Sequence, residues 1–144
     1  MVIRKKMFGG TILISMVSLL TLTGCPGIGD RVLPREEAKV SMQGESICFW
    51  IPDVEDKQPR HIAINPIGTP FQLQKIVFSP DIKVVNEYLC IPPSFFRFPD
   101  EGQFIVEYVL AINAQDNTPR IVVTGIEMKN GRVQIIPLSA EEAE

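Results

Sequence analysis

An all-β fold, an antiparallel β-sandwich of about seven to eight short strands over residues 37–138, is what three features of this 144-residue chain predict. The first is proline. All 12 prolines follow residue 25, at roughly twice the average frequency, and a proline inside a helix removes a hydrogen bond and clashes with the preceding turn. The pieces between them mostly lack room for a long helix. The second feature is that apolar residues within those pieces recur at every other position, the period of a strand with one buried face. The third is the spacing of turn signals: Gly44-Glu45, Pro52-Asp53, Pro66-Ile-Gly-Thr-Pro70, Ser79-Pro80-Asp81, Asp116-Asn117 and Asn130-Gly131. Short strands with turns every 8–12 residues suit a sandwich, with a small closed barrel as the alternative.

Taken in order, residues 37–43 put Val40 and Met42 on one face, and 46–51 read Ser-Ile-Cys-Phe-Trp-Ile. Residues 60–65 pair Ile62 with Ile64, 72–78 pair Ile76 with Phe78, and 86–91 follow as a fifth strand. Residues 103–113 carry Phe104, Val106, Tyr108, Leu110 and Ile112 on one face and Ile105, Glu107, Val109 and Ala111 on the other. A strand so apolar on both sides belongs in the middle of a sheet. Residues 120–128 and 132–138 flank Asn130-Gly131, two residues that accept the positive φ of a type I′ turn, which predicts a hairpin. Asp100-Glu-Gly-Gln-Phe104 resembles the Asp-x-Gly-x-Tyr approach to the penultimate strand of immunoglobulin-like domains, so the sandwich is expected to be immunoglobulin-like. Phe104 has no hydroxyl, however, and the usual corner hydrogen bond cannot form.

The segment ahead of this domain has different physics. Arg4, Lys5 and Lys6 precede an uncharged run from Met7 to Gly24 whose apolar heart is residues 12–22, the plan of a secretory signal. A permanent membrane helix needs roughly 20 apolar residues, and Gly9-Gly10 and Gly24 shorten this one. Leu22-Thr-Gly-Cys25 resembles the bacterial lipoprotein box, in which the cysteine becomes the first mature residue and carries lipid. By that resemblance residues 1–24 are a lipoprotein signal peptide, Cys25 anchors the protein, and 25–36 are a short tether. An uncleaved signal anchor is the other reading. Each buried CH₂ contributes about 0.8 kcal/mol, so several acyl chains hold firmly where one does not. Pro26 stands where enteric inner-membrane retention would have Asp, so the expected address is the periplasm, at the inner leaflet of the outer membrane. Eleven tether residues reach at most roughly 35–40 Å.

Removing residues 1–24 takes away three basic groups and leaves 11 Lys and Arg against 17 Asp and Glu, a formal charge of −6. That balance disfavours nucleic acid and anionic membrane surfaces, whose binding rests on clustered Lys and Arg. It suits a basic protein partner, and it also simply aids solubility. With Cys25 assigned to lipid, Cys48 and Cys90 remain, and in an oxidising compartment the expectation is a disulfide. Residues 139–144 read as an acidic tail.

Catalytic machinery is hard to assemble from these residues. His61 is the single histidine, on the strand face opposite Ile62 and Ile64, so neither a Ser-His-Asp set nor a zinc set can be written. Asp53-Val-Glu-Asp56 lacks the glycine and regular oxygen spacing of a cation loop, and no phosphate-cradling glycine loop is present. The expectation is a non-enzyme with no cofactor, no metal and no small-molecule substrate.

Binding features are more informative. Ile91-Pro-Pro-Ser-Phe-Phe-Arg-Phe-Pro-Asp100 sets Phe95, Phe96 and Phe98 around Arg97 between stiff prolines, and aromatic and Arg side chains on a rigid loop are favoured as interface anchors. The competing account is that two of the phenylalanines close the open end of the sandwich; at least one is expected to stay exposed. Trp50 and Tyr88 share a face with Cys48 and Cys90. If the bridge joins neighbouring strands of one sheet, Ile47, Phe49, Ile51, Leu89 and Ile91 form the core and Trp50 and Tyr88 lie outside. If it crosses between sheets, Trp50 is core. The first arrangement uses the more apolar face and is preferred.

Across nearly its whole mature length the chain resembles an enterobacterial family of type VI secretion system immunity periplasmic lipoproteins. The resemblance rests on Gly29-Asp-Arg31, Cys48-Phe49, Pro52-Asp53, Ile62-Ala-Ile-Asn-Pro66 and Gly68-Thr-Pro70. It continues through Leu89-Cys-Ile-Pro-Pro-Ser-Phe95, Phe98-Pro-Asp100, Gly102-Gln-Phe-Ile-Val-Glu-Tyr-Val109 and Asn130-Gly-Arg132. It implies a protein that binds and occludes a toxic effector in the periplasm, and it transfers no site residues. Two other classes stay open at this point: a structural lipoprotein of an envelope or secretion complex, and a periplasmic lysozyme inhibitor.

Overall fold

The computed structural model of the protein describes residues 33–142. The expected signal peptide, Cys25, the tether as far as residue 32 and the last two residues of the tail lie outside the described residues. Ten strands follow in order: β1 (Arg35–Glu36), β2 (Lys39–Gln43), β3 (Ser46–Trp50), β4 (Gln58–Pro66), β5 (Ile76–Phe78), β6 (Val84–Val85), β7 (Tyr88–Ile91), β8 (Gly102–Ala111), β9 (Arg120–Lys129) and β10 (Arg132–Ile136).

They build two sheets that do not close into a barrel. One runs β1-β9-β8-β4-β5, with β10 also paired to β9, and the other runs β2-β3-β7-β6. This is the expected sandwich, and the grouping of strands is that of immunoglobulin-type domains, with β2, β3, β7 and β6 in the places of strands A, B, E and D and β4, β8 and β9 in those of C, F and G. Long central β8 pairs with both β4 and β9, as its two apolar faces require. Its inner face meets the other sheet through Tyr108 and Phe49, both fully buried, with ring centroids 5.7 Å apart and edge-on. Around them pack Ile47, Leu89, Ile91, Val106, Leu110 and Ile126. Burying one such side chain contributes about 1.5–3 kcal/mol.

Several boundaries differ from expectation, each for a local reason. The tether does not extend through residue 36, because Arg35 and Glu36 pair in parallel with Ile121 and Val122. Residues 72–78 are not one strand: after Pro70 the chain makes a 3₁₀ turn at Phe71–Leu73, and only Ile76–Phe78 join the sheet. The expected strand 86–91 is a hairpin, since Asn86 and Glu87 take φ of 51° and 65° between Val85 and Tyr88. Glu87 tolerates this strain where its carbonyl accepts the Ile51 N–H at 2.7 Å. Ile112, expected on the inner face, is 55% exposed, because Asp116 draws the Ile112 N–H out at 2.9 Å and ends β8.

Other turns are as expected. Asn130 and Gly131 have φ of 52° and 72° between the paired Lys129 and Arg132, so the final ribbon is antiparallel. At the corner before β8, Gly102 has φ of 147°, which only glycine adopts readily. Phe104, lacking a hydroxyl, secures the corner by ring contacts with Phe96 and Phe98 at 6.3 and 5.4 Å.

Cys48 and Cys90 stand directly opposite each other on β3 and β7, 4.0 Å apart at Cα, and are joined by a disulfide. The bridge therefore lies within one sheet, and Trp50 and Tyr88 lie on that sheet's outer face beside it, as the apolar pattern favours.

Candidate binding surfaces

The strands give the domain two ends. The chain arrives beside the first residues of β9, where Arg35 pairs with Ile121, and β9 then runs ten residues, roughly 30 Å, to the Asn130-Gly131 turn. At that far end the Gly131 N–H donates to Asp100 O at 3.1 Å and the Asn130 N–H to Glu101 Oε1 at 2.9 Å. The loop from Pro92 to Glu101 is thereby fixed opposite the end where the chain comes in.

Within this loop the N–H groups of Phe95 and Phe96 both donate to Pro92 O, at 2.9 and 3.1 Å, which coils the backbone and directs the three rings toward the core. Phe96 and Phe98 meet edge-on at 4.6 Å. The expectation of an exposed phenylalanine is not met: Phe95, Phe96 and Phe98 are all half-buried and packed against the core, and the exposed residues of the loop are Ser94, Arg97, Pro99, Asp100 and Glu101. The rings close the end of the sandwich because Phe104 offers them an aromatic floor. Arg97, Phe96 and Phe98 border a cleft of about 180 Å³ whose other walls include Met42, Met128 and Asp100. Met42, Met128 and the two aromatic edges give the cleft an adaptable apolar side, and Glu45, Arg97 and Asp100 line the rest of it with charge.

Trp50 and Tyr88 form a second surface. Across the outer face, register aligns Lys39, Trp50, Tyr88 and Val85. Lys39 Nζ lies 5.4 Å over the indole, both rings keep part of their surface in solvent, and Val85 is 62% exposed. These residues occupy the ends of β3 and β7 nearer the incoming chain. The fold thus does not unite Trp50 and Tyr88 with the Arg97 cleft.

A third surface was not expected. Every residue from Phe71 to Ser79 is exposed, including Phe71 and Phe78 at 82 and 73%. The alternation of Ile76 and Phe78 pointed to a buried face, but the face they share is the outer one, where Phe78 meets the half-buried His61 ring edge-on at 6.0 Å. The uncharged Ile-Val-Phe run between two prolines is the trace this surface leaves in the sequence.

Perturbed carboxylates have structural causes. Asp116 is held well below the usual carboxylate range by Lys57 Nζ at 2.8 Å, helped by the N–H groups of Ile112 and Thr118. The amides of Gln103 and Gln134 lower Glu127, and Arg120 lowers Glu36. Each ties a loop or strand in place. Among the described residues no three His, Cys, Asp or Glu side chains converge as a metal ion would require.

A disulfide-stapled immunoglobulin-type sandwich with exposed aromatic and arginine side chains is the class that fold and surfaces define. The chain belongs to the family described as a domain of unknown function, DUF7480, whose model matches residues 35–131, from β1 to the last hairpin turn. No curated protein and no solved structure matches it.

Proposed function

We propose that this protein is a periplasmic lipoprotein, anchored by lipid on Cys25, that binds and occludes a toxic effector of a type VI secretion system. The observation that carries the binding role is the exposed Arg97 over the Phe96–Phe98 and methionine cleft, on a loop stiffened by prolines at the end opposite the incoming chain. Anchors of this kind, an arginine among packed aromatic and flexible apolar side chains, contribute binding energy without turnover. The sequence resemblance supplies the partner class, and the acidic mature chain suits a basic effector surface.

The test is co-expression of the full chain with the product of each gene that neighbours its own, screened for periplasmic toxicity. Rescue from toxicity and co-purification are expected for the native chain, with rescue reduced by Cys25→Ala and binding weakened at least tenfold by Arg97→Glu. Failure of a folded, exported protein to bind or rescue would remove the immunity reading.

A further inference from the structure

Two turns and one loop put three unpaired charges around the cleft between the sheets. Glu45 stands on the turn from β2 to β3, at the end of the smaller sheet. Asp100 stands by the turn that ends β9 in the larger sheet, where its O accepts the Gly131 N–H at 3.1 Å and its Oδ1 lies 3.4 Å from the place a Cβ on Gly131 would take. Arg97 is on the loop that crosses from β7 to β8. All three residues are exposed and line the cleft, and among the described residues none of their side chains makes an ion pair or a hydrogen bond. Neighbouring Glu101, by contrast, is engaged by the Asn130 N–H. The cleft's apolar side comes from both sheets, through Met42 of β2, 38% exposed, and buried Met128 of β9.

We infer that the cleft receives a basic side chain of the partner protein, and that a carboxylate beside it on the partner meets Arg97. This rests on the reading of the cleft as the binding end and adds the chemistry recognised there. Size favours a single side chain, since about 180 Å³ falls below the roughly 300–1,000 Å³ of small-molecule pockets. A lysine or arginine stem suits the methionine side of the cleft, because its methylenes pack on apolar surface while its charge stays at the solvated rim. There Glu45 and Asp100 stand free to meet it.

Charge decides among the possible occupants. An apolar plug would strip water from three charged groups and replace none of it. An acidic side chain would find Arg97 but meet two carboxylates. A basic side chain alone answers both carboxylates and leaves Arg97 facing like charge, which an acid next to it on the partner removes. Complementarity of this kind fixes register and rejects wrong partners more than it adds raw affinity.

A titration of the full chain decides it without the effector. Met42 and Met128 are two of five methionines, and the other three lie within residues 1–24, so methyl-labelled methionine reports on the cleft by NMR. The probe is the dipeptide Lys-Glu, acetylated and amidated at its ends, which should move both methyl signals saturably in the millimolar range. Norleucine in place of the lysine keeps the stem without the ammonium, and glutamine in place of the glutamate removes the carboxylate. Each change should weaken binding about two- to fivefold. Glu45→Gln with Asp100→Asn should abolish the preference for lysine over norleucine, and Arg97→Gln should abolish only the preference for glutamate over glutamine. Methyl signals that do not move, or preferences that survive these substitutions, overturn the inference. Rescue from toxicity without a charge-dependent titration removes this chemistry and leaves the immunity reading, whereas the titration without rescue removes the immunity reading and leaves this chemistry.

Discussion

Arg120 and Glu36, 84 residues apart, meet in a two-bond fork: Nε donates to Oε2 at 2.9 Å and Nη2 to Oε1 at 2.7 Å. The remaining Nη1 donates to the carbonyls of Pro52 and Asp53 at 2.8 and 3.2 Å. One guanidinium thus joins β1, the start of β9 and the loop that leaves β3 for the other sheet.

Arg120→Lys keeps the charge and loses the fork, which a point-like ammonium cannot reproduce. The pair is partly solvated, so the expected cost is only about 1 kcal/mol, a fall of a few degrees in Tm, with faster amide exchange in β1. The arginine holds the Glu36 carboxyl below its ordinary range. A carboxyl lowered in the folded state adds stability that is complete above the unfolded-state pKa, about 4–5, and lost as pH falls through the lower folded value. Exchange protection at Glu36 to Ala38 should therefore decline below that range in the native protein, and Glu36→Gln should flatten the decline. A Glu36→Gln variant with an unchanged acid profile would show that the fork does not set it.

Reducing the Cys48–Cys90 bridge releases a constraint across a separation of 42 residues, worth about 4 kcal/mol in the chain-entropy account. A Cys48→Ala, Cys90→Ala double variant should lose that amount in urea denaturation, and the native chain should show no thiol reactivity at these positions without reductant. Because Cys48 is fully buried, a loss below 1 kcal/mol would mean that the unfolded chain is already compact around this pair.

Tyr108 is fully buried beside Phe49, its hydroxyl has no hydrogen-bond partner among the described residues, and burial pushes its ionisation up. Removing a buried, unpaired hydroxyl while keeping the ring relieves a desolvation cost. Tyr108→Phe should be neutral or more stable by up to about 1 kcal/mol in urea denaturation, whereas Tyr108→Ala should lose about 3–5 kcal/mol through the cavity. Destabilisation by Tyr108→Phe beyond 1 kcal/mol would contradict this account.

Much of the fold was legible because strand periodicity is local. Residues 103–111 carry apolar side chains on both faces and occupy the sheet centre, and Asn130-Gly131 encodes its hairpin in two residues. The Phe104 corner was readable as a departure, a missing hydroxyl, but not as its remedy, since the rings of Phe96 and Phe98 arrive from a separate loop. The candidate site was legible as composition and mistaken in exposure. Aromatic residues around Arg97 mark an anchor loop equally well whether their rings face water or the core.

The sequence by itself determined the strand-rich character, the turns that demand positive φ and the cysteine pair with its apolar neighbours, all properties of residues close in the chain. Tertiary structure alone decided which faces remain uncovered. Ile76 and Phe78 alternate as core residues do, yet β5 lies at a sheet edge with its shared face turned outward. A period of two says that a strand has a distinct face, and only the packing of distant strands says whether anything lies against it.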